Sequence, residues 1–274
     1  MSEPVIIAAA NQKGGVGKTT LVLNLAAIFA MEFGLRVLVV DLDSQRNLTR
    51  GVGLDPSTID REKSSAALFR SEGHRTPDEL IHPTPYNNLS IIPSTVALAK
   101  TAEHMILEVN REFLLATSLS HIQQEFDVIF IDSPPNLGLV VMNALSAADY
   151  LIIPNDCSFY AMQGIDTLLD TYDVVKRILN PDLEILKIIP NLYDARTRND
   201  KQVREDLRAY FSDDMITKVY IPQNVKLKEA PRAGQPINVY DPKSRGYKAT
   251  KQVALEIYEA LKPKLRPAED EAVI

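Results

Sequence analysis

The chain of 274 residues is 45% hydrophobic and 24% charged, with a net charge of −6, an ordinary globular composition able to bury a core in one α/β domain or two small ones. Its single cysteine, Cys157, excludes an internal disulfide and a cluster-based reductase, fits a reducing cytosol, and reads as a packing residue because no spaced partner accompanies it. No run approaches the ~20 apolar residues of a membrane span, and Glu3, with a core-like strand directly after it, does not look like a signal peptide.

In chain order, Val5 to Ala10 is an apolar, β-like run. It leads into Asn11-Gln12-Lys13-Gly14-Gly15-Val16-Gly17-Lys18-Thr19-Thr20 and then into an amphipathic helical pattern over about 19–33. Strand, glycine loop and helix in that order make a phosphate cradle. The helix start offers unpaired N–H groups and a positive dipole end, and glycines let backbone amides approach an anion. Lys18 is placed to reach β- and γ-phosphates and the Thr19 hydroxyl to ligate Mg²⁺. The strict pattern G-x-x-x-x-G-K-[ST] fails at its first position, where Gln12 stands, and a second lysine, Lys13, precedes the glycines.

Val37 to Val40 reads as a buried strand ending in Asp41-Leu42-Asp43-Ser44-Gln45-Arg46-Asn47. Ligands of parallel sheets gather at the carboxyl ends of strands, so both acids are candidates for Mg²⁺ and water, and Asp41 is equally a candidate helix cap. From Gly51 to Asn88, prolines and Gly73 punctuate a helix-prone Ser64 to Arg70, which predicts short helices joined by loops. A strand at Leu89 to Pro93 precedes a helical pattern over about 96–124 with room for one break. His104 and His121 lie on it without acids or cysteines at metal spacing, so no metal is assigned to them. The run from Asp127 delivers Asp132 to a strand end, where a Walker B acid holds Mg²⁺ directly or through water, and Pro134 and Pro135 stop the strand. Strands at Tyr150 to Pro154 and Ile185 to Asn191 flank a helix over about 162–179. This alternation predicts a parallel sheet covered on both faces.

The glycine loop is the deviant Walker A motif, and the chain resembles the ParA/MinD family of ATPases, ParA/Soj in particular, along nearly its whole length. The resemblance implies an α/β, doubly wound, mostly parallel sheet in one P-loop domain over residues 1–262, with ATP and Mg²⁺ as cofactors. It places Lys13, Gly14, Gly15, Val16, Gly17, Lys18, Thr19 and Thr20 around the phosphates and sends Lys13 across a nucleotide-sandwich homodimer to the partner's phosphates. Asp43 matches the acid that orients or activates the attacking water and joins Thr19 and Asp132 around the metal, while 136–139 matches a sensor loop. Where similar proteins carry Asp-x-Asp-Pro-Gln-Gly-Asn, this chain has Ser44 for proline and Arg46 for glycine. Asn191 ends a strand with a paired donor and acceptor suited to an adenine edge. The resemblance assigns it that role with backbone near Pro222, and a bond to its own turn is the alternative.

Ile221-Pro222-Gln223-Asn224 through Glu229-Ala230-Pro231 resembles the IPRN…EAP block of chromosomal, Soj-like proteins, with Gln223 in place of arginine. Between residues 226 and 266 ten basic groups face four acidic ones, a surplus of six in a chain whose remainder carries −12. A basic end on an acidic protein suits nonspecific DNA, and Lys226, Lys228, Arg232, Lys243, Arg245, Lys248 and Lys251 are the expected contacts. A MinD-type protein would instead end in a basic membrane-surface helix. Here two prolines and three acids over 263–274 predict a disordered acidic tail and no membrane partner. The expected function is slow ATP hydrolysis driving plasmid or chromosome segregation in the cytoplasm, on the nucleoid, with a ParB-like adaptor. The alternatives are positioning of another cargo, such as a carboxysome or chemotaxis array, and a MinD-like membrane-associated division regulator, which the tail disfavours.

Overall fold

The computed structural model describes residues 3–70, 77–122, 125–156, 161–194 and 196–265. Cys157 and the segment 266–274 lie outside the described residues. Strands β1 (Val5–Ala9), β2 (Val37–Asp41), β3 (His82–Pro83), β4 (Leu89–Ile92), β5 (Val128–Asp132), β6 (Tyr150–Asn155) and β7 (Glu184–Pro190) form one sheet in the order β3-β4-β2-β5-β1-β6-β7. Every pairing is parallel except that of β3 with β4. The expected doubly wound architecture is therefore observed, with an antiparallel edge at β3, too short to register as a periodic pattern.

Alternation along the strands explains the two layers. Val5, Ile7 and Ala9 face the side covered by α1 (Lys18–Met31) and α10 (Arg245–Leu261), whereas Ile6 and Ala8 face the side that includes α4 (Leu114–Leu119), α5 (Leu139–Ala147) and α6 (Ala161–Ile178). Helix α1 differs from the amphipathic expectation: Leu21 through Ala30 are all buried. The sheet covers one side, and α9 (Ile237–Tyr240) and α10 cover the other, where Tyr258 sits 4.8 Å from the Phe33 ring. The long pattern over 96–124 is broken into α3 (Ala97–His104), a 3₁₀ turn over 105–107 and α4. The cause is Asn110, which takes the left-handed conformation (φ 53°) that asparagine tolerates, and its carbonyl closes a turn with Phe113 N–H at 2.9 Å. The helix prone segment 64–70 is a 3₁₀ turn over 65–69.

The remaining α-helices among the described residues are α2 (Asn47–Gly51), α7 (Arg198–Tyr210) and α8 (Val225–Glu229). No helix among the described residues is long and apolar enough to cross a membrane.

Candidate functional site

The central strands β2, β5 and β1 bring their carboxyl ends side by side, with Asp132 opposite Ala9 on one flank and Asp41 on the other. The glycine loop, which follows β1, therefore rises beside Asp132, with Asp41 one strand further away. Within it Gly15 (φ 81°) and Gly17 (φ 87°) are left-handed, and Gly17 closes on α1 as its N-cap. A Cβ at Gly17 would collide with the side-chain amide of Asn191, so this position needs glycine for both its backbone angle and its neighbour.

Lys18 is 6% exposed and curls back on the loop, its ammonium donating to the carbonyls of Asn11 at 3.0 Å and Lys13 at 3.3 Å. Burial depresses its pKa, and the carboxylates of Asp132 and Asp43 oppose that shift. Asn11 sets the loop's shape: its amide donates to Pro154 O at 2.8 Å and its oxygen accepts from Lys13 N–H at 2.9 Å. The second lysine points elsewhere. Lys13 Nζ lies 2.6 Å from Asp156 Oδ2, just past the end of β6, in a pair whose side chains are 30% and 15% exposed. Asp156 was not singled out from the sequence, because 143 positions separate the partners.

Asp132 is fully buried, and neither carboxylate oxygen receives a hydrogen bond of normal geometry. Burial holds its pKa well above the usual carboxylate range and the nearby Asp41 adds to this, while the Thr19 hydroxyl and Lys18 pull the other way. A buried, unsatisfied carboxylate beside a threonine hydroxyl fits a cation. Mg²⁺ in phosphate sites takes one or two protein ligands and completes its shell from phosphate and water, so Thr19 and Asp132 are a sufficient set.

Asp41 turns out to be a structural anchor. Its Oδ2 accepts from Thr49 N–H at 2.9 Å and Thr49 Oγ1–H at 2.7 Å, and Oδ1 from Asp43 N–H at 3.1 Å. Burial still raises its pKa to about 6, against those hydrogen bonds. Asp43 is half-buried on the turn that follows, where its carboxylate accepts from Gln45 N–H at 2.9 Å and its carbonyl from Arg46 N–H at 2.9 Å. Arg46 closes that turn at φ 62°, ψ 30°, a left-handed conformation. The departure from the family glycine thus falls where glycine is favoured. Arg46→Gly is expected to stabilise the protein by about 0.5–1 kcal/mol, read as a higher urea midpoint at unchanged slope. A lower midpoint would show that the arginine side chain contributes more than its backbone costs.

Asn191, 4% exposed, is brought against the loop: its amide nitrogen donates to Val16 O at 2.8 Å and its oxygen accepts from Leu192 N–H at 2.9 Å. Both halves of the amide are engaged with backbone, one bracing the loop and one its own left-handed turn at Leu192 (φ 56°). Pro222 bridges to Tyr193 beside that turn, so the structure does bring 191 and 222 together.

The predicted DNA contacts divide. Lys226 pairs with Glu229 at 2.9 Å, and Lys251 with Glu32 at 2.7 Å. Lys228, Arg232, Lys243, Arg245 and Lys248 are exposed. Helices α8 and α10 meet where Gly246 packs on Leu227 so closely that a Cβ would stand 2.7 Å from Leu227 Cγ, which brings residues 226–228 close to the start of α10.

A family model described as an AAA domain matches residues 5–185. The sporulation initiation inhibitor protein Soj of Bacillus subtilis is 40% identical over 252 residues, 92% of this chain and 97% of that one. The chromosome partitioning protein ParA of Myxococcus xanthus is 40% identical over 259 residues, covering 94% and 89%. Among solved structures, a Mycobacterium smegmatis protein named cobyrinic acid a,c-diamide synthase, crystallised with ADP and magnesium, superposes with a TM-score of 0.80 at 31% identity over 97% of this chain and 99% of that one. A strand-end acid pair, a two-lysine glycine loop and relatives that match from end to end agree: the chain belongs to the ParA/Soj family of P-loop ATPases.

Proposed function

We propose that the protein binds ATP with Mg²⁺, dimerises face to face around the nucleotides, holds DNA without sequence preference, and releases it after slow hydrolysis. The observation that carries this reading is the placement of Lys13. Its backbone belongs to the phosphate loop, but its ammonium lies outside the cage that holds Lys18 and at the partly exposed rim, and in this reading it extends from there to a second protomer.

In this reading Lys18 and the amides of residues 14–20 hold the phosphates, Thr19 and Asp132 hold the metal, and Asp43 orients water. Mg²⁺, when bound, neutralises charge developing on the phosphates. Asn191 and the backbone at Pro222 border the adenine, with the Asn191 amide exchanging its Val16 bond for the base edge. The exposed lysines and arginines of 226–248 meet DNA phosphates, and dimerisation doubles that patch. One domain over 1–262 accommodates all of these roles. A ParB-like adaptor that completes the site would accelerate turnover, and the cycle would segregate a plasmid or chromosome region on the nucleoid, in the cytoplasm.

The test is DNA binding by the purified protein with ATP, ADP or no nucleotide. Binding is expected only with ATP, and to weaken by about tenfold or more between 50 and 200 mM salt. DNA binding that ignores nucleotide, or none at all, would overturn the switch. The amide-synthase name of the Mycobacterium smegmatis structure suggests a different reaction. ATP hydrolysis without any added carboxylic acid or amine would argue against it here.

A further inference from the structure

A cavity of about 1010 Å³ opens beside the turn that carries Asp43. Its walls come from Arg46 on that turn, the loop after α2, the end of the 3₁₀ segment at Phe69 and the length of α3 with the turn that follows it. Apolar surface is supplied by Pro56, Ile59, Phe69, Val96 and Met105, of which Pro56, Phe69 and Met105 are buried. Charge is supplied by Arg46, Arg61, Arg70 and Lys100, against one lining carboxylate, Glu108. An apolar chamber with a few convergent charged groups is the usual make-up of a small-molecule site.

The cations are unequally committed. Glu62, just outside the lining, accepts from Arg61 Nε at 2.9 Å and from Arg70, and these bonds, Arg70's first, hold its carboxyl below the ordinary range. Arg46 differs: its Nε is buried with no hydrogen-bond partner. Because that Nε has almost no accessible surface, the donors that Arg46 offers to the cavity are the terminal nitrogens of its guanidinium. Lys100 stands exposed at the rim on α3.

The geometry points to a binding site for a small phosphate monoester with an apolar or aromatic body. The phosphate would accept from Arg46 and Lys100, and the body would pack on Phe69, Met105 and Pro56. Guanidinium favours this class because its planar donors match phosphate oxygens in pairs. The site is separate from the phosphate loop, yet joined to it. Arg46 closes the turn that Asp43 opens, and Thr49 ties that segment to both strands, through Asp41 at the end of β2 and through Ser94 N–H at 3.0 Å just after β4. A ligand that fixes the Arg46 side chain therefore also fixes the turn holding Asp43.

The experiment is calorimetric titration of phenyl phosphate into the full chain saturated with Mg·ADP, which keeps the phosphate loop filled. One saturable site is expected, with Kd on the order of 1 mM or below. Inorganic phosphate and phenol should each bind about tenfold more weakly, since each lacks one half of the recognition. Arg46→Gln and Lys100→Gln should each weaken phenyl phosphate by about fivefold or more. Lys100 is a surface residue, so its variant keeps the proposal testable if Arg46→Gln perturbs folding. Absence of saturable binding, or affinity unchanged in Lys100→Gln and in a folded Arg46→Gln, would overturn the site. Equal binding of inorganic phosphate would overturn the apolar half of the assignment.

Discussion

Asp132→Asn is expected to make the nucleotide-free protein more stable and the enzyme nearly inactive. Asp132 is fully buried with both oxygens unsatisfied, and burial, then Asp41, hold its pKa well above the usual value. The sign follows from proton linkage. A carboxyl whose folded pKa is raised binds its proton more tightly in the folded state, so stability falls as pH climbs from the unfolded value near 4 through the folded one. Asp41, raised to about 6 chiefly by burial, acts in the same direction between about pH 4 and 6. Asparagine removes the charge while keeping the volume. The gain at pH 8 should be about 1–3 kcal/mol, or roughly 3–8 °C in Tm, and should vanish near pH 4, where the native carboxyl is protonated. Turnover with Mg·ATP should drop by about a hundredfold or more, because the variant holds the metal poorly. Thermal unfolding at the two pH values, beside a phosphate-release assay, measures both. A variant less stable than the parent at pH 8 would refute the account of an unsatisfied carboxylate.

Lys13→Ala should leave the fold and monomeric nucleotide binding nearly intact while abolishing ATP-dependent dimerisation and DNA binding. The ammonium bonds Asp156 at the rim rather than the core of the loop, so little stability depends on it. A partly exposed pair of this kind is worth about 1 kcal/mol. Asp156→Asn supplies the contrast. It removes the charge of that acceptor, and it should tighten the ATP-bound dimer by a few fold at most. Sedimentation velocity of the parent and both variants with a non-hydrolysable ATP analogue reads the outcome directly. A dimer that persists in Lys13→Ala would remove the lysine from the interface.

The sequence exposed what is local and periodic. Val37 to Val40, valines with one leucine, and Val128 to Ile131, β-branched and aromatic, show no competing helical pattern, and both are central strands. The glycine loop was legible because its residue types answer to one anion. What stayed hidden depends on distance or on disguised backbone. Asp156 meets Lys13 only because β6 lies next to β1. Arg46 hides a left-handed turn behind a residue type that seldom adopts one. For Asn191 the bond to its own turn was legible as an alternative and is made to Leu192 N–H, whereas the bond from its amide nitrogen to Val16 O is a tertiary contact that no local pattern encodes. The break at Asn110 was indistinct for a similar reason, since the flanking apolar residues keep helical spacing across it.

Helix α1 runs about 21 Å from the phosphate loop to the basic helix α10. Lys18 stands at its first position, and at the far end Glu32 accepts from the Tyr247 hydroxyl at 3.1 Å and pairs with Lys251, while Phe29 and Phe33 stack on Tyr258. Midway, the Asn24 side chain accepts from Ile237 N–H at 2.7 Å. The nucleotide end and the basic end are therefore not interchangeable modules. A chimera that imports residues 221–265 from a relative must import the matching residues at 24, 29, 32 and 33 as well, or it will join two well-formed halves across a mismatched seam.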